Sequence, residues 1–347
     1  MSHSTKNKIR TIVLNRSQLL ILLALAFCFG VYADRGLTLF GPVQDAAIEQ
    51  DAGGGGGELR FIRSAARIKD AGGSRGLKEL KPFRYKVKNL VDRKLKAGGA
   101  SVISVYFRDL RDGHRFGIRE QEKFSADTLL KLPLMIAYLK WADASPLLMN
   151  RKIVYANNHS GPGARVWQQG PFEEGRSYKV STLLYRMIAY NDNGAAAVLT
   201  ANLPPGYLQK IFKDIYVNYD PAGKDDAMSF NAYASFYRVL FNASYLSREM
   251  SERALRYLSK TAFKDGIVSG VPSDIDVVAK YGERMVLDPG NDGAQELMQL
   301  HEFGIVYHPA RPYMIGVMVR GNDAGELAKT LRDISALVYV EVDRQSR

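Results

Sequence analysis

Phe124–Lys140 reads FSADTLLKLPLMIAYLK, and this stretch carries the fold and the chemistry together. A short polar start leads into an apolar run, and the spacing predicts a helix over Leu129–Trp141. Thr128 and Lys131 stand three residues apart at its beginning, a separation that puts both side chains on one helical face. A lysine beside a hydroxyl in a dry cleft loses its proton more easily and can serve as base or charge partner. A nucleophile at a helix start can also use its own N–H to help bind an oxyanion. Taken alone, Thr-x-x-Lys is an ordinary helix opening, so its meaning depends on what surrounds it.

Working outward, Pro82–Lys96 has helical spacing (Val87, Leu90, Val91, Leu95) and stops at Gly98-Gly99. Ser101–Arg108 (SVISVYFR) is β-branched and aromatic and reads as a strand. Asp112-Gly113 is a hairpin turn signal, with Arg115–Arg119 as the return strand. A helical zone follows from about 128 to 260, with segments at Leu129–Trp141, Ser181–Leu199, Phe230–Phe241 and Ser251–Lys260. Strands return at Asp276–Lys280, Gly304–His308 and Tyr313–Val319, and Ala324–Val340 closes as a helix. Strands at both ends with helices between predict an α+β fold. In it one antiparallel sheet is built from both ends of the domain, terminal helices cover one face, and a central all-helical lobe lies on the other side. A site would then lie between sheet and lobe.

Two further stretches resemble the surroundings of a known active site. Ser177–Asn193 reads SYKVSTLLYRMIAYNDN and ends in Asn191-Asp192-Asn193. Val277–Gly282 reads VVAKYG and holds Lys280-Tyr281-Gly282. With Thr128-x-x-Lys131 ahead of them, the three groups resemble, in order, the Ser-x-x-Lys, Ser-Asp-Asn and Lys-Thr-Gly motifs of class A β-lactamases and related penicillin-recognising serine hydrolases. Phe303–Gly321 (FGIVYHPARPYMIGVMVRG) also looks like this family's C-terminal sheet, and the resemblance covers about residues 83–345. It implies a β-lactamase-like fold. It places Thr128, Lys131, Asn191 and Lys280 at catalytic positions, and Asn193, Tyr281, Gly282 and Glu283 at ligand-binding positions. Asp192 reads as structural.

Each motif departs from the family at its hydroxyl position. Thr128 stands for the serine nucleophile, and its methyl restricts χ1 and crowds the line of attack. Asn191 replaces a serine that passes a proton towards the leaving nitrogen, which a carboxamide cannot do. Tyr281 replaces a small hydroxyl residue and can fill the pocket. A Glu-x-x-Leu-Asn loop, which supplies the deacylating glutamate, is absent between Asn193 and Lys280. Asp214, Asp220, Asp225 and Asp226 are the nearest acids, and the last two read as helix-cap residues. Two readings stay open: a catalytically impaired domain that binds a cell-wall-type ligand or partner, and an atypical enzyme with Thr128 as a slow nucleophile on β-lactams or D-alanyl peptides. In the second, Lys131 is the base, and the N–H groups of Thr128 and Glu283 form the oxyanion hole.

The remaining sequence sets the setting. Of 347 residues, 46% are hydrophobic and 24% charged, which excludes a disordered or fibrous chain. Net charge is +12, and most of the excess falls in residues 1–98. A nearly neutral body argues against nucleic acid as a partner, and a basic N-terminal third fits an anionic membrane surface. Ser17–Ala33 is uncharged, preceded by Lys6, Lys8, Arg10 and Arg16 and followed by Asp34. It reads as an anchor with its positive end in the cytoplasm, or as a signal peptide cleaved near Val31-Tyr32-Ala33, and either puts the body on the extracytoplasmic side. Residues 34–81 read as a tether with glycine runs at Gly53–Gly57 and Gly72-Gly73, the segment from Glu58 to Lys69 being a surface helix (Leu59, Ile62, Ala66) or a solvated linker. The domain proper is 82–347. Cys28 is the only cysteine and the histidines form no His-Glu-x-x-His pair, so no disulfide, zinc site or other metal or cofactor is expected.

Overall fold

Alternating β-branched and aromatic residues make β1 (Val102–Asp109), and the turn at Asp112-Gly113 returns it as β2 (Arg115–Ile118). Gly113 takes φ +80°, a conformation open to it because it lacks a Cβ. The computed structural model describes residues 59–62, 80–122, 124–125, 127–156, 172–219, 227–287 and 296–347. The segment Ser17–Ala33, both glycine runs, and Asp220, Asp225, Asp226, His159 and Trp167 lie outside the described residues.

β1 pairs along its whole length with β9 (Tyr313–Gly321), so the two ends of the domain meet side by side. With β8 (Glu296–Val306) and β7 (Val277–Leu287) they form one antiparallel sheet in the order β2-β1-β9-β8-β7. One face is covered by α1 (Leu80–Lys96) and by α8 (Ala324–Ser346). These helices bury Phe83, Val87 and Val91, and Leu327, Leu331, Ile334 and Val338, at spacings that keep each set on one stripe. The other face packs on the helical zone around Phe303, whose ring lies 5.0 to 5.7 Å from those of Tyr106, Phe230, Tyr233 and Tyr237. A Cβ on Gly316 would come within 2.3 Å of Phe303, so the glycine makes room for that ring. The architecture is the α+β arrangement expected from sequence.

Several boundaries differ. The helix after Phe124 starts with a 3-10 turn, Asp127–Leu130, and becomes α2 only at Lys131 (Lys131–Ala144). The predicted segment Ser181–Leu199 is two helices, α3 (Val180–Ala189) and α4 (Asn193–Ala201), because Asn191 turns the chain with φ +58°. An unpredicted α5 (Tyr207–Asp214) follows, then α6 (Phe230–Phe241) and α7 (Arg248–Ser259). β7 runs on to Leu287 and β8 starts at Glu296, well outside the predicted strands. The extra residues are largely polar or exposed, so hydrophobic alternation does not reveal them. Two small antiparallel pairs, β3 (Phe124–Ser125) with β6 (Ala227–Met228) and β4 (Lys152–Val154) with β5 (Ser177–Lys179), were also unpredicted.

Within the segment read as tether, Leu59–Ile62 is not helical, and of these four residues only Arg60 is exposed. Phe61 and Ile62 are buried against the domain, while Ala66 lies outside the described residues. Among the described residues no helix is long and apolar enough to cross a membrane.

Candidate active site

The break between α3 and α4 builds the site. Asparagine tolerates the left-handed region better than most residues, and Asn191 uses it to end one helix and admit the next. Asp192 then caps α4 by accepting from the N–H of Ala195 at 2.9 Å, and its other oxygen accepts from buried Arg186 at 3.1 Å. Its role is structural. Gly194 leaves space for Tyr155, whose hydroxyl would sit 1.9 Å from a Cβ placed there. This local geometry turns the carbonyl and side chain of Asn191 and the side chain of Asn193 towards the first turn of α2.

Lys131 opens α2 and is buried. Its Nζ donates to the Asn191 carbonyl at 2.6 Å, to Asn191 Oδ1 at 2.8 Å and to Asn193 Oδ1 at 2.6 Å. Lys280 comes from β7, on the sheet side, and is 1% exposed. It donates to the same Asn191 Oδ1 at 2.7 Å and to the Tyr281 carbonyl at 2.7 Å. Four predicted positions, Lys131, Asn191, Asn193 and Lys280, therefore meet at the junction of lobe and sheet. Every oxygen receiving these bonds is an amide oxygen. Burial, and then the neighbouring Lys131 charge, hold the Lys280 amine well below the ordinary lysine range.

Thr128 lies in the 3-10 turn immediately before Lys131, and its side chain is outside the described residues. Tyr281 is 1% exposed. Its ring stacks on Phe263 with centroids 4.9 Å apart, and the Lys280 ammonium lies 4.8 Å from its centroid on the cation–π scale. Tyr281 is therefore packed into the core beside the site. The ring fills the volume a small hydroxyl residue would leave, and burial pushes its hydroxyl pKa up. Gly282 is buried beside it. Glu283 is half-buried, and its charge favours the Lys280 ammonium.

Two further residues were not singled out from sequence. His301 on β8 is fully buried, and burial followed by the Lys280 charge pushes its pKa down to about 3, so it is neutral. Glu302 beside it is 0% exposed and accepts the N–H of Ile267 at 2.6 Å. Burial raises its carboxyl to about 8. Neither belongs to a motif, and each reads as an ordinary polar residue in HEF; only the fold buries them. Among the described residues no cluster of His, Cys, Asp or Glu is arranged to hold a metal ion.

The sequence profile described as the β-lactamase enzyme family matches residues 82–342. The chain belongs to that family. No curated protein matches the sequence. Among solved structures, that of PBP-A is similar with a TM-score of 0.62 and 18% identity, covering 76% of this chain and 97% of that one. A β-lactamase from Xanthomonas campestris pv. campestris gives 0.62 and 19%, covering 74% and 97%. A class A β-lactamase described as the last common ancestor of Gram-negative bacteria gives 0.60 and 22%, covering 73% and 98%. At these identities the likeness shows the fold, which is that of class A β-lactamases.

As a β-lactamase-family site, this one retains both amines and carries Thr128, Asn191 and Tyr281 at the three positions where the motifs have a small hydroxyl residue. The two glutamates between Asn193 and Lys280, Glu249 and Glu252, both sit on α7. Glu249 pairs with Arg253, and Glu252 is engaged by Arg256 and by the backbone of residues 60–62. Neither is placed at the Lys131–Asn191–Lys280 junction.

Proposed function

We propose that this is an extracytoplasmic, membrane-tethered β-lactamase-like domain that binds a cell-wall-type or β-lactam ligand while being impaired in turnover. The observation that carries the reading is the double use of Asn191 Oδ1. Both lone pairs of that oxygen are taken by lysines, and the position holds no hydroxyl to pass a proton between them. Lys131 donates to three amide oxygens of Asn191 and Asn193, none of which is an acid or base that could exchange a proton with it. Losing a positioned proton donor or acceptor typically costs about 10²–10⁴ in rate. The same cationic junction suits a ligand carboxylate, and one PBP-A structure is an acyl-enzyme complex with penicillin G, which supports the ligand class. The flanking charges of Ser17–Ala33 support the tethered placement.

Purified protein incubated with a chromogenic cephalosporin is expected to show no steady hydrolysis. Steady turnover that disappears in Lys131→Ala overturns the reading. Intact-protein mass spectrometry after long exposure to penicillin addresses the alternative of Thr128 as a slow nucleophile. A stable adduct mapped to Thr128 would establish acylation without turnover, and its absence leaves non-covalent binding.

A further inference from the structure

Residues 59–62 come from a stretch rich in glycine and basic residues, yet the domain receives them with a complete set of partners. Glu252 on α7 is 3% exposed. Its Oε1 accepts the N–H of Arg60 at 2.9 Å, and its Oε2 accepts those of Phe61 at 2.9 Å and Ile62 at 3.1 Å. Tyr307, just past β8, donates its hydroxyl to the Phe61 carbonyl at 2.8 Å and meets the Phe61 ring edge-on at 5.3 Å. Asp276, just before β7, takes the Arg60 guanidinium in a two-pronged contact at 2.7 and 2.8 Å. Phe61 is 5% and Ile62 2% exposed.

A buried carboxylate needs donors, and here three consecutive backbone N–H groups of a distant segment supply them. Emptying the slot would leave Glu252 with the Arg256 guanidinium at 3.3 Å and three donors fewer. The slot also reads side chains: a cation at 60 and large apolar groups at 61 and 62. Its walls come from α7 in the helical lobe and from the ends of β7 and β8 in the sheet, the two bodies whose junction holds the site.

We propose that Glu252, Asp276 and Tyr307 form a sequence-selective receptor for the chain's own Arg60-Phe61-Ile62. The docked segment is a clip that fixes where the N-terminal part of the chain leaves the domain and ties lobe to sheet. The occupant is this chain's own segment. The clip is independent of whether the cleft turns over substrate.

Hydrogen exchange by mass spectrometry on the intact protein tests it. The amides of Arg60, Phe61 and Ile62 are expected to exchange about a hundredfold more slowly than in the double variant Phe61→Ala/Ile62→Ser. Trypsin cleavage after Arg60 is expected to be slower in the native protein by about tenfold or more. Glu252→Gln, which sets an NH2 group against backbone donors, is expected to lose the same protection from the domain side. If that variant misfolds, as near-UV circular dichroism would reveal, the Phe61/Ile62 variant still decides. Equal exchange in the native and Phe61/Ile62 proteins overturns the proposal. Protection that falls on dilution, together with a dimer on size-exclusion chromatography, also overturns it by showing that a second copy supplies the segment.

Discussion

In the cleft, two amines from different bodies, Lys131 and Lys280, converge on one uncharged oxygen of Asn191. At the clip, one carboxylate, Glu252, gathers three backbone N–H groups and a guanidinium. Both are buried polar clusters linking the helical lobe to the sheet, but their charge is handled differently. The clip is electrostatically closed, since its negative charge is met by donors and by Arg256. The cleft instead sets two buried lysines against neutral amide oxygens, which costs desolvation free energy that those oxygens only partly return. A ligand carboxylate of the kind proposed above would find cationic partners there, whereas at the clip the cations already meet Glu252 and Asp276.

The largest expected effect comes from restoring the family's small hydroxyl residues at the three motif positions. Thr128→Ser with Asn191→Ser and Tyr281→Thr is expected to raise the rate of penicillin acylation by about 10²–10⁴, followed as adduct mass against time. No gain would mean that the scaffold no longer presents the lysines productively. Removing the shared acceptor comes next. Asn191→Ala leaves two buried amines facing each other and is expected to cost about 3–5 kcal/mol in urea denaturation. Lys280→Met in that background is expected to return part of the loss, because it removes the amine whose charged form burial already disfavours.

Glu302 gives a pH-dependent effect of a few kcal/mol at most. Its carboxyl stays protonated in the fold up to about 8 but ionises near the ordinary glutamate value of 4.5 when unfolded. Between these values the unfolded chain holds fewer protons, so stability falls as pH rises. The contribution is fully present below about 4.5 and is lost by about 8. Denaturation midpoints at pH 5 and pH 8 are expected to differ in that sense, and Glu302→Gln to flatten the difference. The smallest effect belongs to the clip's outer pair. Arg60 and Asp276 are substantially exposed, so Arg60→Ala is expected to cost only about 0.2–1 kcal/mol, less at high salt. If it cost as much as Asn191→Ala, the two clusters would not differ as described.

How much of this was legible in the sequence depended on distance along the chain. The strands at 102–109 and 313–321 and the helices at 80–96 and 324–346 declare themselves by local period, and the three motif stretches by their order. The break at Asn191 was hidden, because apolar spacing runs through SYKVSTLLYRMIAYNDNGAAAVL without a proline, and its one glycine, Gly194, falls inside the second helix instead of at the break. Tyr281 was recognisable as an occupant of the third motif, but its stacking on Phe263 belongs to a loop that only tertiary structure brings there. The clip was out of reach altogether. Glu252 and its three N–H donors are separated by about 190 residues, and Leu59–Ile62 is too short for any period to register.

The docked segment has a mechanical corollary for a chain held at Ser17–Ala33 by a bilayer, as proposed. With the clip engaged, only residues 34–58 separate membrane from body, a contour of roughly 85 Å at about 3.4 Å per residue. Released, the span lengthens to residues 34–79, roughly 155 Å. Since accessible volume grows with the cube of the leash, undocking three residues would enlarge the zone patrolled by the domain about sixfold. In a chain tethered that way, a handful of hydrogen bonds would set the depth of the layer the domain can survey.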